Sequence, residues 1–220
     1  KNKHAELIEH ELQIDKIDRG HWAYQKLTDF PPPETNQSDW PRTTIDQFIL
    51  SKLQVHSLSP VAEATREILI RRLSFDLTGL PPTAMELSQY LNDNRPGSYR
   101  RLVERLLASP SYGRRWGQHW LDLARFAETD GYEHDKIRGN AWRYRDYVIN
   151  AFNSDRSFNR FLIEQLAGDE ISKPTVESLI ATGYYRLGIW DDEPADKLQH
   201  RYDQLDDIVA TTAKTFLAMT

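Results

Sequence analysis

The sequence predicts an all-α fold, an irregular multi-helix globular domain with an extended N-terminal arm. Two observations carry that prediction. Apolar residues recur at three- and four-residue spacing through most of the chain, and no succession of alternating strand patterns interrupts them. A third sets the organisation: Pro31-Pro32-Pro33, followed by polar residues, reads as an extended linker. Residues 1–39 are therefore expected to form an arm with a Pro-rich linker, and residues 40–220 a helical domain without internal repeats.

The arm has some helical spacing as far as about Leu27, around His21-Trp22-Ala23-Tyr24. The first firm helix starts near Thr44, a capping residue, and carries Ile45, Phe48, Ile49 and Leu53 on one face. A second, from about Ala62 to Leu77, ends at the stop signal Thr78-Gly79-Leu80-Pro81-Pro82. A short helix follows Thr83. Ser98 then opens an amphipathic helix through Leu102, Val103, Leu106 and Leu107 that ends near Ser109-Pro110.

From Ser111 to about Ala127, Tyr112, Trp116, His119, Leu123 and Phe126 share one helical face, and Arg115, Gln118, Asp122 and Arg125 another. Residues 128–139 hold two glycines and several charges without periodicity, and form a loop expected at a functional edge. Helices resume over Trp142–Phe152 and Phe158–Leu166, with Ser157 as a cap and Gly168 as a stop. Another lies near Thr175–Arg186. An acidic irregular stretch, 188–196, precedes a long terminal helix from Lys197.

Composition limits the function. A net charge of -5 and a pI near 5.8 supply no general drive toward phosphate backbones, so nucleic acid is not an expected partner. No apolar run approaches the roughly 18 residues of a membrane span. The absence of cysteine excludes a disulfide framework, thiolate zinc, a cysteine nucleophile and covalent haem attachment through these residues. There is no Gly-x-Ser-x-Gly, phosphate loop, dinucleotide fingerprint or Glu-x-x-His pair.

The densest chemical candidate is Trp190-Asp191-Asp192-Glu193-Pro194-Ala195-Asp196 with the following His200, Asp203 and Asp207. On a helix the last three share a face, so Asp192, Glu193, Asp196, Asp203 and Asp207 are candidate cation ligands. Oxygen donors suit calcium, and the His200 imidazole widens the choice to zinc or iron. The competing reading is a solvated acidic face paired with Arg186, Lys197 or Arg201. Asp122, Glu128, Asp130, Glu133 and His134 form a second cluster, open to acid–base chemistry or to structural pairing with Arg125. His119, between Trp116 and Trp120, reads as a core histidine or as an axial ligand. The two tryptophans read as core or as a sugar platform. Arg143 and Arg145, in Trp142-Arg143-Tyr144-Arg145-Asp146, suit a carboxylate, sulfate or haem propionate, or an Arg–Asp network.

Several strings together resemble the planctomycete cytochrome c family, in its domain of unknown function. They are His21-Trp22-Ala23-Tyr24, Trp40-Pro41-Arg42, Arg71-Arg72-Leu73-Ser74-Phe75-Asp76-Leu77-Thr78-Gly79-Leu80-Pro81-Pro82 and His119-Trp120-Leu121-Asp122. The likeness continues through Trp142-Arg143-Tyr144-Arg145-Asp146, Gln165-Leu166-Ala167-Gly168-Asp169 and the 190–196 string to Asp206-Asp207-Ile208-Val209. In that family the stretch resembling residues 211–220 leads into a Cys-x-x-Cys-His motif. The resemblance thus implies a haem-adjacent module of a secreted or periplasmic c-type cytochrome-like protein. The haem c would lie in the continuation, on an adjacent haem-bearing segment or chain. It further implies Arg143 or Arg145 against propionates, His119 or His200 as axial ligands, and a redox role linked to polysaccharide breakdown. The alternative expectation is a calcium-stabilised glycan-binding or scaffold domain without catalytic activity of its own, using the acidic clusters and the loop around Gly131.

Overall fold

A computed structural model describes residues 16–36 and 39–219. The all-α prediction holds, with ten α-helices and no β-strand among the described residues. None of these helices is long and apolar enough to cross a membrane. The chain divides into two compact units, Lys1–Glu63 and Ala64–Thr220, so the first firm helix groups with the N-terminal segment.

In the first unit, α1 (Lys16–Gly20) and a 3-10 turn (Trp22–Tyr24) bury no side chain, and residues 26–35 run without regular structure. Helix α2 (Thr44–Val55) is capped by Thr43, one residue before the expected position. Asp46 explains the shift. Its carboxylate accepts from the backbone N–H of Arg42 at 2.9 Å and of Thr43 at 2.8 Å, while Thr43 Oγ1 accepts from Asp46 N–H. These hydrogen bonds hold the Asp46 carboxyl below its ordinary value.

The second unit begins with α3 (Arg66–Thr78), α4 (Ala84–Asn92) and α5 (Ser98–Leu107), which enclose Ile70, Tyr90, Leu102 and Leu106. Helix α3 stops where predicted because Gly79 adopts φ 72°, a left-handed cap that a side chain disfavours. Arg66 ties the three helices together. Its guanidinium lies 4.2 Å from the Tyr90 ring centroid and donates to the carbonyls of Tyr90 and Asp93 and to Ser98 Oγ.

The main core lies between α6 (Pro110–Leu123), α7 (Trp142–Asn153), α8 (Phe158–Ala167), α9 (Val176–Ala181) and a 3-10 segment (Thr182–Arg186). Trp120, Tyr144, Tyr147, Val148, Phe161 and Tyr184 fill it. Here the inward face of α6 is not the one its heavy apolar residues mark, although Phe126 beyond its end packs against the core. The inward residues are Gly113, Gly117, Trp120 and, just past the helix, Ala124, whereas Trp116 and Leu123 are 38% and 48% exposed and His119 is exposed. The reason is the close approach of α7. A Cβ on Gly113 would stand 2.4 Å from the Ile149 carbonyl oxygen and 2.5 Å from Asn153 Cγ, so only a hydrogen fits. Gly113 N–H donates to Asn153 Oδ1 at 2.8 Å across the contact.

Two buried polar residues on α8 are fully engaged. Gln165 Oε1 accepts from Trp120 Nε1 at 3.0 Å and from the Tyr144 hydroxyl. Glu164 accepts from Tyr147 OH at 2.9 Å, Arg160 Nε at 2.8 Å and Arg156. Burial works to raise the Glu164 pKa, but those three donors outweigh it and hold the carboxyl below its ordinary value. The terminal helix α10 (Lys197–Leu217) has no fully buried residue. Phe216 anchors it, with ring centroids 5.5 Å from Trp120 and 5.4 Å from Tyr184.

Gly113→Ala is expected to lower stability by about 1–3 kcal/mol, since the backbone of α7 must move. Gly117→Ala, whose added Cβ would meet Ile149 Cγ1 at 3.4 Å, is expected to be much milder. Urea denaturation of the pair checks this. Glu164→Gln is expected to cost about 3 kcal/mol at neutral pH by leaving Arg156 without its buried charge partner. Because the folded pKa of Glu164 is depressed, its stabilisation is present above its ordinary value of 4.5 and is lost as pH falls below it. The substitution should flatten that acid limb.

Candidate functional site

Two surfaces of the second unit combine exposed aromatic groups with unpaired chemistry. The first is the outward face of α6, where Trp116, His119 and Leu123 succeed one another after a half-buried Tyr112. His119 stands edge-on to Trp116 at 5.5 Å between ring centroids, and its ring nitrogens have no hydrogen-bond partner among the described residues. This overturns the core-histidine reading, because the small-residue face of α6 is the one that α7 covers. The end of α10 meets the C-terminal end of α6, where Thr215 Oγ1 donates to the Leu123 carbonyl at 3.3 Å. Exposed Leu217 and Met219 follow. Trp120 points into the core, so the two tryptophans do not form one platform.

The second surface is a cleft of about 680 Å³ bounded by the start of α7, the 3-10 segment, residues 187–190 and α10. Arg138 builds it. Its Nε donates to Asp130 at 2.7 Å, Nη1 to the Arg186 carbonyl at 3.0 Å, and Nη2 to the Gly188 carbonyl at 2.7 Å. One guanidinium therefore satisfies the carbonyls where helical structure stops. The loop predicted at a functional edge is ordered by the same contacts. Thr129 and Ile137 form an isolated antiparallel bridge, and Asp130 O accepts from Trp190 N–H at 3.0 Å.

Arg143 and Arg186 line this cleft without a carboxylate partner among the described residues. Each lies over an indole ring, Arg143 at 5.2 Å from the centroid of Trp142 and Arg186 at 4.5 Å from that of Trp190. The two acidic residues lining the cleft are neutralised, Asp130 by Arg138 and Asp207 by Arg125 through two contacts of 2.6 Å. Asp207 in turn raises the Arg125 pKa by hydrogen bonding. Arg186 carries no short sequence signal as a site residue; only the fold brings it into the same cleft as Arg143.

The other predicted residues are dispersed. Arg145 is held by Glu128 at 2.5 Å and Asp146 at 3.1 Å. His200 Nε2 meets Gln204 Nε2 at 2.8 Å and its ring is edge-on to Trp190. The five carboxylates considered for a cation have separate partners. Asp192 pairs with Lys136, whose hydrogen bond lowers its pKa, and Glu193 lies 3.7 Å from His134 Nε2. Asp196 caps α10 through the N–H groups of Leu198 and Gln199, Asp203 accepts from Gln199 Nε2, and Asp207 pairs with Arg125. Among the described residues no group of three or more His, Asp or Glu side chains converges as a metal cage. The Asp122 cluster is likewise divided, since Glu128, Asp130 and His134 each face a different partner.

Arg138→Lys is expected to lower stability by about 2 kcal/mol, because an ammonium cannot reproduce a planar fork toward Asp130 and the carbonyls. Amide hydrogen exchange should quicken at Trp190, whose N–H is held on the same loop.

No curated protein and no solved structure matches the chain. Residues 44–220 match the family described as PSCyt2, protein of unknown function (DUF1549), starting with the first residue of α2 and including the whole second unit. The chain belongs to that family.

Proposed function

We propose that this chain is the haem-adjacent module of an extracytoplasmic c-type cytochrome-like protein, and that the exposed face of α6 is where the haem-bearing segment docks. The observation that carries the reading is the placement of His119. It sits on the outward side of α6, its ring nitrogens unpartnered among the described residues, on the helix whose C-terminal end Thr215 ties to α10. In the family that the sequence resembles, the stretch resembling residues 211–220 leads into the haem-attachment motif. Trp116 and Leu123, 38% and 48% exposed, offer an apolar surface for a planar macrocycle, and a sequence of this spacing ordinarily belongs to a buried face.

The side chains present fit a haem in a limited way. Without cysteine they cannot attach it, whereas His119 offers an imidazole and Trp116 and Leu123 an apolar wall. His200 fits less well, since Gln204 and Trp190 already hold its ring. A c-type haem would supply one-electron transfer when bound. The contribution of this chain is to shield the haem edge, set its polarity and present one imidazole, levers that tune a reduction potential.

The test is a longer chain that includes the following segment, matured with haem in an extracytoplasmic host. A c-type visible spectrum is expected, and His119→Ala and Trp116→Glu should each shift the reduction potential. Both positions are exposed, so the fold should survive. A longer chain that takes up no haem, or one whose spectrum and potential are the same in both variants, contradicts the proposal.

A further inference from the structure

The cleft around Arg143 and Arg186 is separate from the α6 face and does not depend on the haem reading. Its free charge is positive, because Asp130 and Asp207 are already neutralised, although the chain as a whole is acidic. A guanidinium laid on an indole keeps its in-plane N–H donors available, so the pair is preset for a planar or tetrahedral oxyanion. The rest of the lining is mixed. Ile189 and Leu179 are 65% and 51% exposed, and Thr182 and Asn140 supply a hydroxyl and an amide group. An inorganic anion would leave the apolar wall unused, and a purely apolar ligand would strand both charges.

We propose that this cleft binds an acidic sugar, a pyranose bearing a carboxylate or sulfate, with Arg143 and Arg186 holding the anionic groups and the exposed Ile189 and Leu179 side chains taking the apolar face of the ring. Carboxylate and sulfate share the recognition chemistry, since both accept paired N–H donors from a guanidinium. The cleft volume of about 680 Å³ lies within the range of sites for small ligands.

Calorimetric titration of this chain with oligogalacturonate, dextran sulfate, unmodified dextran and inorganic sulfate tests the assignment. Saturable binding of oligogalacturonate or dextran sulfate is expected, and whichever binds identifies the acid. That affinity should fall about tenfold in Arg143→Gln and in Arg186→Gln, and should weaken as salt is raised. Both side chains are exposed and without a carboxylate partner among the described residues, so melting temperatures should stay unchanged. No binding of either acidic polymer, equal binding of unmodified dextran, equal affinity for inorganic sulfate, or affinity indifferent to both substitutions overturns the proposal.

Discussion

The close crossing of α6 and α7 is the constraint on which the functional surfaces depend. Gly113 admits the backbone of α7 to a distance that any Cβ would block, and Asn153 fastens the contact with a hydrogen bond to Gly113 N–H. With the small residues turned inward, Trp116, His119 and Leu123 face outward and Tyr112 stays half-buried. The aromatic stripe is therefore a consequence of helix packing. It gains apolar exposure because a backbone-to-backbone contact on the opposite face takes precedence over burying a larger side chain there.

The same economy organises the cleft. Arg138 spends its donors on Asp130 and on the carbonyls where the 3-10 segment ends, and Arg125 takes Asp207 in a fork. Those two pairs remove the negative charge from the lining and leave Arg143 and Arg186 without a carboxylate partner among the described residues. Arg125 reaches α10 from a left-handed backbone position, φ 57°, immediately after α6 ends. The turn that terminates α6 thus also fixes one wall of the cleft.

Much of the fold was legible in the chain because capping and stop signals are local. The helix after Thr83 and the Gly79 stop appear within a turn of their predicted places, as do the starts of α7, α8 and α10. Orientation was less legible. The heavy apolar residues of α6 suggested its inner face, whereas the glycines four apart marked it, and their meaning depends on Ile149 and Asn153 some 36 to 40 residues later. The acidic string 190–196 was read for its density. In three dimensions its neighbours Lys136, His134 and the N-terminus of α10 draw the carboxylates apart. Arg143 was visible beside Trp142, but Arg186 acquires its meaning only from the packing of the 3-10 segment.

The central claim is that the outward face of α6 is covered by the haem-bearing segment. Oxidative footprinting of Trp116 and Leu123, compared between this chain and the longer haem-loaded protein, tests it most directly. The account predicts strong protection of both side chains in the longer protein, with the exposed Trp142 on α7 as an internal reference that is unchanged. Equal modification of Trp116 and Leu123 in the two proteins would place the haem elsewhere and contradict it.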